Sequence, residues 1–225
     1  MGTLRYGIAC DETGVVIEDG VVARLAEDHF YVSATSSGAA AFYRDLQRWA
    51  MQLGIAVTLS NATGQLAALN LAGPMAREIL QPLVELDLSA DTFPYLGVRQ
   101  AELLGIPVTL LRVGFVGELG YEIHLPVSQA EHAWTSLLEQ GSAAGLRPFG
   151  LEAQRLLRLE KGHLIVGHDT DALTNPMEAD LDWAVARDKP FFVGGRGLQI
   201  VRQQTLGRKL VGLRLADGHQ GPWPE

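Results

Sequence analysis

Apolar residues recur along this chain with two periods, and the alternation between them sketches the fold. Val15-Val16-Ile17 and Val21-Val22-Ala23 flank Glu18-Asp19-Gly20, which predicts two strand halves with an acidic turn or bulge between them. Residues 29–34 alternate as a strand does. After Ser36-Ser37-Gly38 the period changes: Phe42, Leu46, Trp49 and Leu53 share one helical face, and Gly54 is the stop. Residues 55–59 and 66–72 read as strands. Gly73-Pro74 opens a short helix reaching Leu80, since proline suits a first helical turn. A loop broken by proline surrounds Phe93-Pro94-Tyr95. Residues 98–104 and 108–113 then form a hairpin about Gly105. Residues 121–125 are a further strand. Ser128 reads as the cap of a helix carrying Ala133, Trp134, Leu137 and Leu138. A second helix covers 151–160 and ends at Lys161-Gly162. Residues 169–175 are loop, and 210–215 are a last strand.

Hairpins adjacent in sequence, interrupted by single helices, predict an α+β fold of mixed, mainly antiparallel sheets with packed helices. A doubly wound parallel fold is disfavoured. No composition break divides the chain. One domain over residues 1–217 is expected, followed by a Gly/Pro-rich tail over 218–225 with no structure of its own.

The chain has 225 residues, 47% of them hydrophobic and 20% charged, enough apolar material for a core. Its net charge of −8 disfavours nucleic acid as a partner. The single cysteine, Cys10, can form no internal disulfide, and it reads as a small buried hydrophobe rather than a nucleophile. No signal-peptide pattern and no membrane-length apolar run is present, so a cytoplasmic location is expected. Nucleotide-type glycine loops are absent; Phe191-Phe192-Val193-Gly194-Gly195-Arg196-Gly197 has neither required spacing and reads as a turn from a buried aromatic pair into a helix. Histidines 29, 124, 132, 163, 168 and 219 form no HxH or HxxxH pair, so no metal site is expected.

Two acidic segments carry candidate chemistry. Asp19 lies beside Glu18 between apolar flanks, where burial and mutual repulsion would raise a carboxyl pKa and suit it to orient an amine or stabilise a developing cation. A solvated acidic turn explains the same residues. In Gly117-Glu118-Leu119-Gly120-Tyr121-Glu122, an extended backbone would point 118, 120 and 122 one way, and the glycines leave room for a ligand. A carboxylate there can accept two parallel N–H bonds, as from the edge of a pterin. A cross-sheet ion pair with Arg112 or Arg99 is the competing account. Leu157-Arg158-Leu159-Glu160-Lys161-Gly162 is explained by helix capping and a structural ion pair.

Taken together, these stretches resemble the folate-binding aminomethyltransferase family, the glycine cleavage T-protein and its relatives. Gly14 to Asp19, Ala72-Gly73-Pro74, Phe115 to Glu122 and Leu157 to Gly162 carry the likeness, with Gly167-His168-Asp169-Thr170-Asp171, Asn175-Pro176-Met177-Glu178-Ala179 and Phe192-Val193-Gly194. Within the family, Glu18-Asp19-Gly20, Arg24 to Glu27 and Asp91 to Tyr95 look most like the C-terminal folate domain of the heterotetrameric sarcosine oxidase α subunit. The resemblance implies the aminomethyltransferase folate-binding fold with ferredoxin-like βαβ elements. It implies tetrahydrofolate as cofactor and capture of a formaldehyde-level carbon, from a sarcosine-type or glycine-derived amine, as 5,10-methylenetetrahydrofolate. Asp19 takes the family's catalytic position. Glu122 takes the pterin-clamping one, and Tyr121 and Glu118 fall in the same cofactor-binding motif. Flavoprotein oxidase subunits or a lipoyl carrier protein are the implied partners.

The departures shape that expectation. The family has a further segment before the position of Met1 and a β-barrel after that of Glu225. Gln154 stands where T-proteins tend to have a folate-contacting arginine, and Asp180 replaces a usual glycine. A complete T-protein is therefore disfavoured. The alternative to a transferase domain is a non-catalytic folate-binding or subunit-docking module.

Overall fold

A computed structural model describes residues 2–213. Two antiparallel sheets form its frame. The first has the order β1-β2-β3, with β1 Thr3–Cys10, β2 Val16–Arg24 and β3 Phe30–Val32. The second has the order β4-β7-β6-β5, from β4 Leu66–Ala72, β5 Val98–Leu103, β6 Ile106–Leu111 and β7 Gly120–Pro126. Helices α1 Ala39–Gln52, α2 Ala76–Leu80, α3 Ala130–Gly141, α4 Leu151–Lys161 and α5 Gly195–Val201 complete it. The α+β expectation is met, with every strand pairing antiparallel.

The main core lies between the second sheet and helices α2 and α3. Tyr121, Ile123 and Leu125 project from β7 into it, against Leu80, Phe93, Ala133 and Leu137. Alternation sends Glu122 and His124 to the opposite face. That face is covered too: His124 is buried, and Tyr31 of β3 meets its ring edge-on at 5.5 Å. Leu4, Ala23, Val98, Leu111 and Val113 pack between the sheets, and Leu4 N–H donates to the Leu96 carbonyl at 2.7 Å. β7 is thus sandwiched, which places Glu122 at an internal boundary. Cys10 is buried with Val16, Val185 and Leu198, and burial pushes its thiol up to about 11, as an inert cysteine requires.

Several expectations are corrected. Glu18-Asp19-Gly20 is no turn: β2 runs unbroken through it, and the irregularity falls one residue earlier, where Ile17 is the extra residue between the Ala9–Glu18 and Cys10–Val16 pairs. Residues 55–59 pair with no strand among the described residues; Ile55 N–H instead donates to the Ala50 carbonyl at 2.9 Å and the Leu59 carbonyl accepts the Tyr43 hydroxyl at 3.1 Å. Ser128 lies in a short 3-10 turn, and no side chain caps α3. Phe191 is exposed, so the aromatic pair before α5 is not buried as such. Residues 210–213 form no strand; 214, 215 and the 218–225 tail lie outside the described residues.

The β5–β6 hairpin turns through Leu104 (φ 50°) and Gly105 (φ 79°), so both turn residues are left-handed. Glycine accepts this freely; leucine does not, at a cost of roughly 1–2 kcal/mol. Leu104 is half exposed, so its side chain recovers little. Leu104→Asn is expected to raise the melting temperature by about 2–4 °C, read by calorimetry; an unchanged or lower value would mean that the leucine contacts outweigh the strain.

Candidate functional site

A cavity of about 660 Å³ opens where the two sheets, α4 and the segment after it converge. Asp19 and Glu122 both line it, from β2 and β7 respectively. Tyr6, Phe115, Tyr95 and Trp183 supply aromatic surface.

Asp19 reaches the cavity because its neighbour does not. Successive strand residues face opposite ways, and Glu18 turns inward, 3% exposed. Its Oε1 accepts the Asp19 and Thr35 backbone N–H groups at 2.9 and 3.0 Å, and its Oε2 accepts the Thr35 hydroxyl at 2.9 Å. Gly38 makes room, since a Cβ there would lie 1.8 Å from Oε2. Asp19 Oδ2 accepts the Tyr6 hydroxyl at 2.9 Å. Burial pushes the Asp19 carboxyl above its ordinary range; the Tyr6 hydrogen bond pulls against this and the Glu18 charge adds to it. Burial, then the Asp19 charge, push the Tyr6 phenol up as well, so it stays a donor. The Tyr6 ring stacks on Trp183 at 5.4 Å.

Glu122 is held through a second relay. His124 Nε2 lies 3.2 Å from Glu122 Oε2, and His124 Nδ1 lies 2.6 Å from the Tyr31 hydroxyl. A carboxylate can only accept, so neutral His124 carries its hydrogen on Nε2 and Tyr31 donates to Nδ1. Glu122 Oε1 has no partner among the described residues. The cross-sheet ion pair does not form: Arg112 lies over the Tyr121 ring and points to the Gly120 carbonyl, while Arg99 serves the carbonyls of Gly2, Thr92 and Val98.

The other two motif residues lie elsewhere. Tyr121 is fully buried in the main core, its hydroxyl accepting from Arg77 Nε at 3.3 Å. Glu118 is exposed and off the cavity wall, because the chain bends from 115 to 119 and becomes extended only at Gly120. The expected common face of 118, 120 and 122 therefore does not exist.

Several further cavity residues had been given no ligand-facing role from the sequence. Arg158, 2% exposed, pairs with Asp169 and donates to the His163 carbonyl at 3.0 Å, joining α4 to the Gly167-His168-Asp169 turn. Burial pushes the Asp169 carboxyl up, but hydrogen bonds from Arg158, the Ile165 backbone and His168 outweigh it and hold it below the usual range. His163, directly after the left-handed Gly162 that ends α4, donates from Nδ1 to the Phe115 carbonyl at 2.7 Å. Asp180 adopts φ 58°, which explains why glycine suits that position. Trp183 and Tyr6 carried no local signal; only the register of β1 on β2 brings the phenol to Asp19.

The profile of the GCVT N-terminal domain matches residues 1–189. The sarcosine oxidase subunit alpha of Corynebacterium sp. (strain P-1) is 38% identical over 230 residues, covering 97% of this chain and 24% of its own length. The aminomethyltransferase of Halothermothrix orenii is 35% identical over 214 residues, covering 95% of this chain and 58% of its own. The crystal structure of the glycine cleavage system aminomethyltransferase T from Bartonella henselae superposes with a TM-score of 0.77 at 27% identity, over 90% of this chain and 54% of that one. The chain thus spans between about a quarter and three-fifths of the length of these curated relatives.

Because Asp19 binds its proton more tightly folded than unfolded, the folded state holds more protons just above the ordinary carboxylate pKa of about 3.9, and stability falls as pH rises through that window. Ionised Asp19 is therefore a cost at neutral pH. Asp19→Asn is expected to raise the melting temperature by roughly 2 °C at pH 7, with the gain vanishing below about pH 4. A gain of equal size at pH 3, followed by circular dichroism, would refute ionisation as its cause.

Proposed function

As the chain belongs to the GCVT N-terminal domain family, we propose that it is a tetrahydrofolate-binding one-carbon transfer domain, with residues 1–217 forming that domain. The observation that carries this reading is the convergence of Asp19 and Glu122, from different sheets, on one aromatic-lined cavity. Its size suits a small-molecule site, and its lining is mostly apolar with a few directed polar groups. A flat heterocycle with N–H donors on one edge fits this set: aromatic faces for the ring, a carboxylate for the edge.

Each residue then has a role. Glu122 accepts the ring N–H and 2-amino group, the His124 hydrogen bond fixing its plane. Bound tetrahydrofolate would supply two amine nitrogens to receive a formaldehyde-level carbon, giving 5,10-methylenetetrahydrofolate. Asp19 orients the attacking amine, stabilises the positive charge that develops there, and can take up its proton. Tyr6 holds the Asp19 carboxylate and shields it against Trp183. Tyr121 supports β7 from beneath, and Glu118 stays outside the contact set.

The named relatives suggest two sources of carbon: a sarcosine-type amine oxidised by flavoprotein subunits, or a glycine-derived aminomethyl group on a lipoyl carrier. One observation favours a docking role in addition. Helix α1 buries none of its residues, and Met51, Leu53, Ile55 and Val57 beside its end are exposed.

Calorimetric titration of the intact protein with tetrahydrofolate tests the site. Glu122→Ala is expected to weaken binding roughly 10- to 100-fold, in line with loss of a charge-assisted hydrogen bond worth about 1.5–3 kcal/mol. Asp19→Asn is expected to bind within a few-fold of the parent while losing at least ~100-fold in formaldehyde trapping. Unchanged affinity in Glu122→Ala would overturn the clamp. Folate binding with no one-carbon transfer in the parent would select the non-catalytic module instead.

A further inference from the structure

The cavity contains a second group able to take up a proton, and the hydrogen bond it already makes determines which of its nitrogens is free. His163 Nδ1 lies 2.7 Å from the Phe115 carbonyl oxygen, which can only accept. Neutral His163 therefore has its hydrogen on Nδ1, leaving the Nε2 lone pair bare. Among the described residues Nε2 has no hydrogen-bond partner, and it is not sealed from solvent. The residue lines the same cavity as Asp19 and Glu122. Its ring is also fixed, stacking on Phe115 with centroids 5.6 Å apart and planes 22° from parallel. Its backbone is pinned twice, by its N–H to the Arg158 carbonyl at 2.9 Å and by Arg158 Nη1 on its own carbonyl at 3.0 Å. His163 is pre-organised to present a base.

The proton balance of the proposed reaction asks for such a group. Joining one carbon to two secondary amine nitrogens forms two C–N bonds and breaks two N–H bonds. The two bonds from that carbon to its carrier break at the same time, and the carrier leaves with the two protons. No oxidant or reductant enters. Asp19 is one acceptor and can hold one proton at a time. Tyr6 cannot serve as the other, since burial and the Asp19 charge keep it protonated. Glu122 is occupied as the clamp, with His124 on Oε2.

We propose that His163 Nε2 is the second proton acceptor of the cavity, taking one amine proton and returning it to the departing carrier. This rests on the folate reading above. His163 thus does at the Phe115 side what Asp19 does at the Tyr6 side.

His163→Asn is the discriminating variant, because an asparagine amide can still donate to the Phe115 carbonyl but offers no base. In the intact protein, His163→Asn is expected to bind tetrahydrofolate within about threefold of the parent and to lose roughly 100-fold or more in kcat, with KM little changed. His163→Gln, with a longer amide, should show the same split if the loss is chemical. Nitrogen-15 spectra of the parent give a readout independent of turnover: Nδ1 protonated and Nε2 bare at rest, with the Nε2 resonance moving when tetrahydrofolate is added. Wild-type kcat in a His163→Asn protein that binds folate, or a resting spectrum with the hydrogen on Nε2, overturns the His163 role and leaves the folate reading intact. A parent that binds no tetrahydrofolate overturns both.

Discussion

Burying a carboxylate is tolerable only when its oxygens are met by donors, and the organisation of this site follows from how Glu18 meets that condition. Three hydrogen bonds, from the Asp19 and Thr35 backbones and the Thr35 hydroxyl, satisfy it within one turn of the start of α1. They tie β2 to the chain leaving β3, although these segments are far apart in sequence. The side chain that turns inward also decides the fate of its neighbour, since strand geometry sends Asp19 to the other face. Two small residues are needed for this arrangement. Gly38 clears the carboxylate, and Gly20, whose Cβ would come within 2.0 Å of the Ser33 carbonyl, lets β3 close on β2. One acid is thus buried in the frame and the next faces the cavity, by the pleat alone.

A similar division holds elsewhere in the cavity wall. Glu122 faces the cavity while Tyr121 and Ile123 on either side of it fill the core. Arg158 is spent on Asp169, and that pair fixes the turn that presents His163. The motifs that carry the family likeness are therefore of two kinds. Some residues face the cavity; others hold those residues at their stations, and the sequence pattern does not separate them. Of the Arg158 donors only Nε is left without a partner, so most of the desolvation cost of burying that cation is offset locally.

The legible parts of the fold are those whose period is long or whose punctuation is strong. The strand at 66–72, the hairpin about Gly105 and the helix ending at Gly162 sit where their patterns place them. Composition misleads where tertiary pairing decides. Residues 55–59 have strand-forming side chains yet join no strand among the described residues. Glu18-Asp19-Gly20 has turn-forming residues, yet the ladder with β1 and the buried hydrogen bonds of Glu18 override that preference. Asp19 and Glu122 lie in distant motifs, and the fold brings both to the wall of one cavity. Glu118 was misplaced because the bend before Gly120 has no periodic signature. His163 and Trp183 were invisible for a simpler reason: each acquires its role from partners distant in sequence, Phe115 and Tyr6.

Helix α1 stands apart from this close-knit arrangement. Its fourteen residues include none that is buried, and no side chain caps its first turn. What fastens it are its own backbone ladder, the Tyr43 hydroxyl on the Leu59 carbonyl and the Arg48–Glu12 ion pair. Such contacts give a helix little protection against opening on its own. On these contacts the amide hydrogens of α1 are expected to exchange faster than those of β6 and β7, which are built into the core. Fraying of α1 is then expected to precede cooperative unfolding of the sheet core. A contact that buried the apolar side of α1 would merge the two into one.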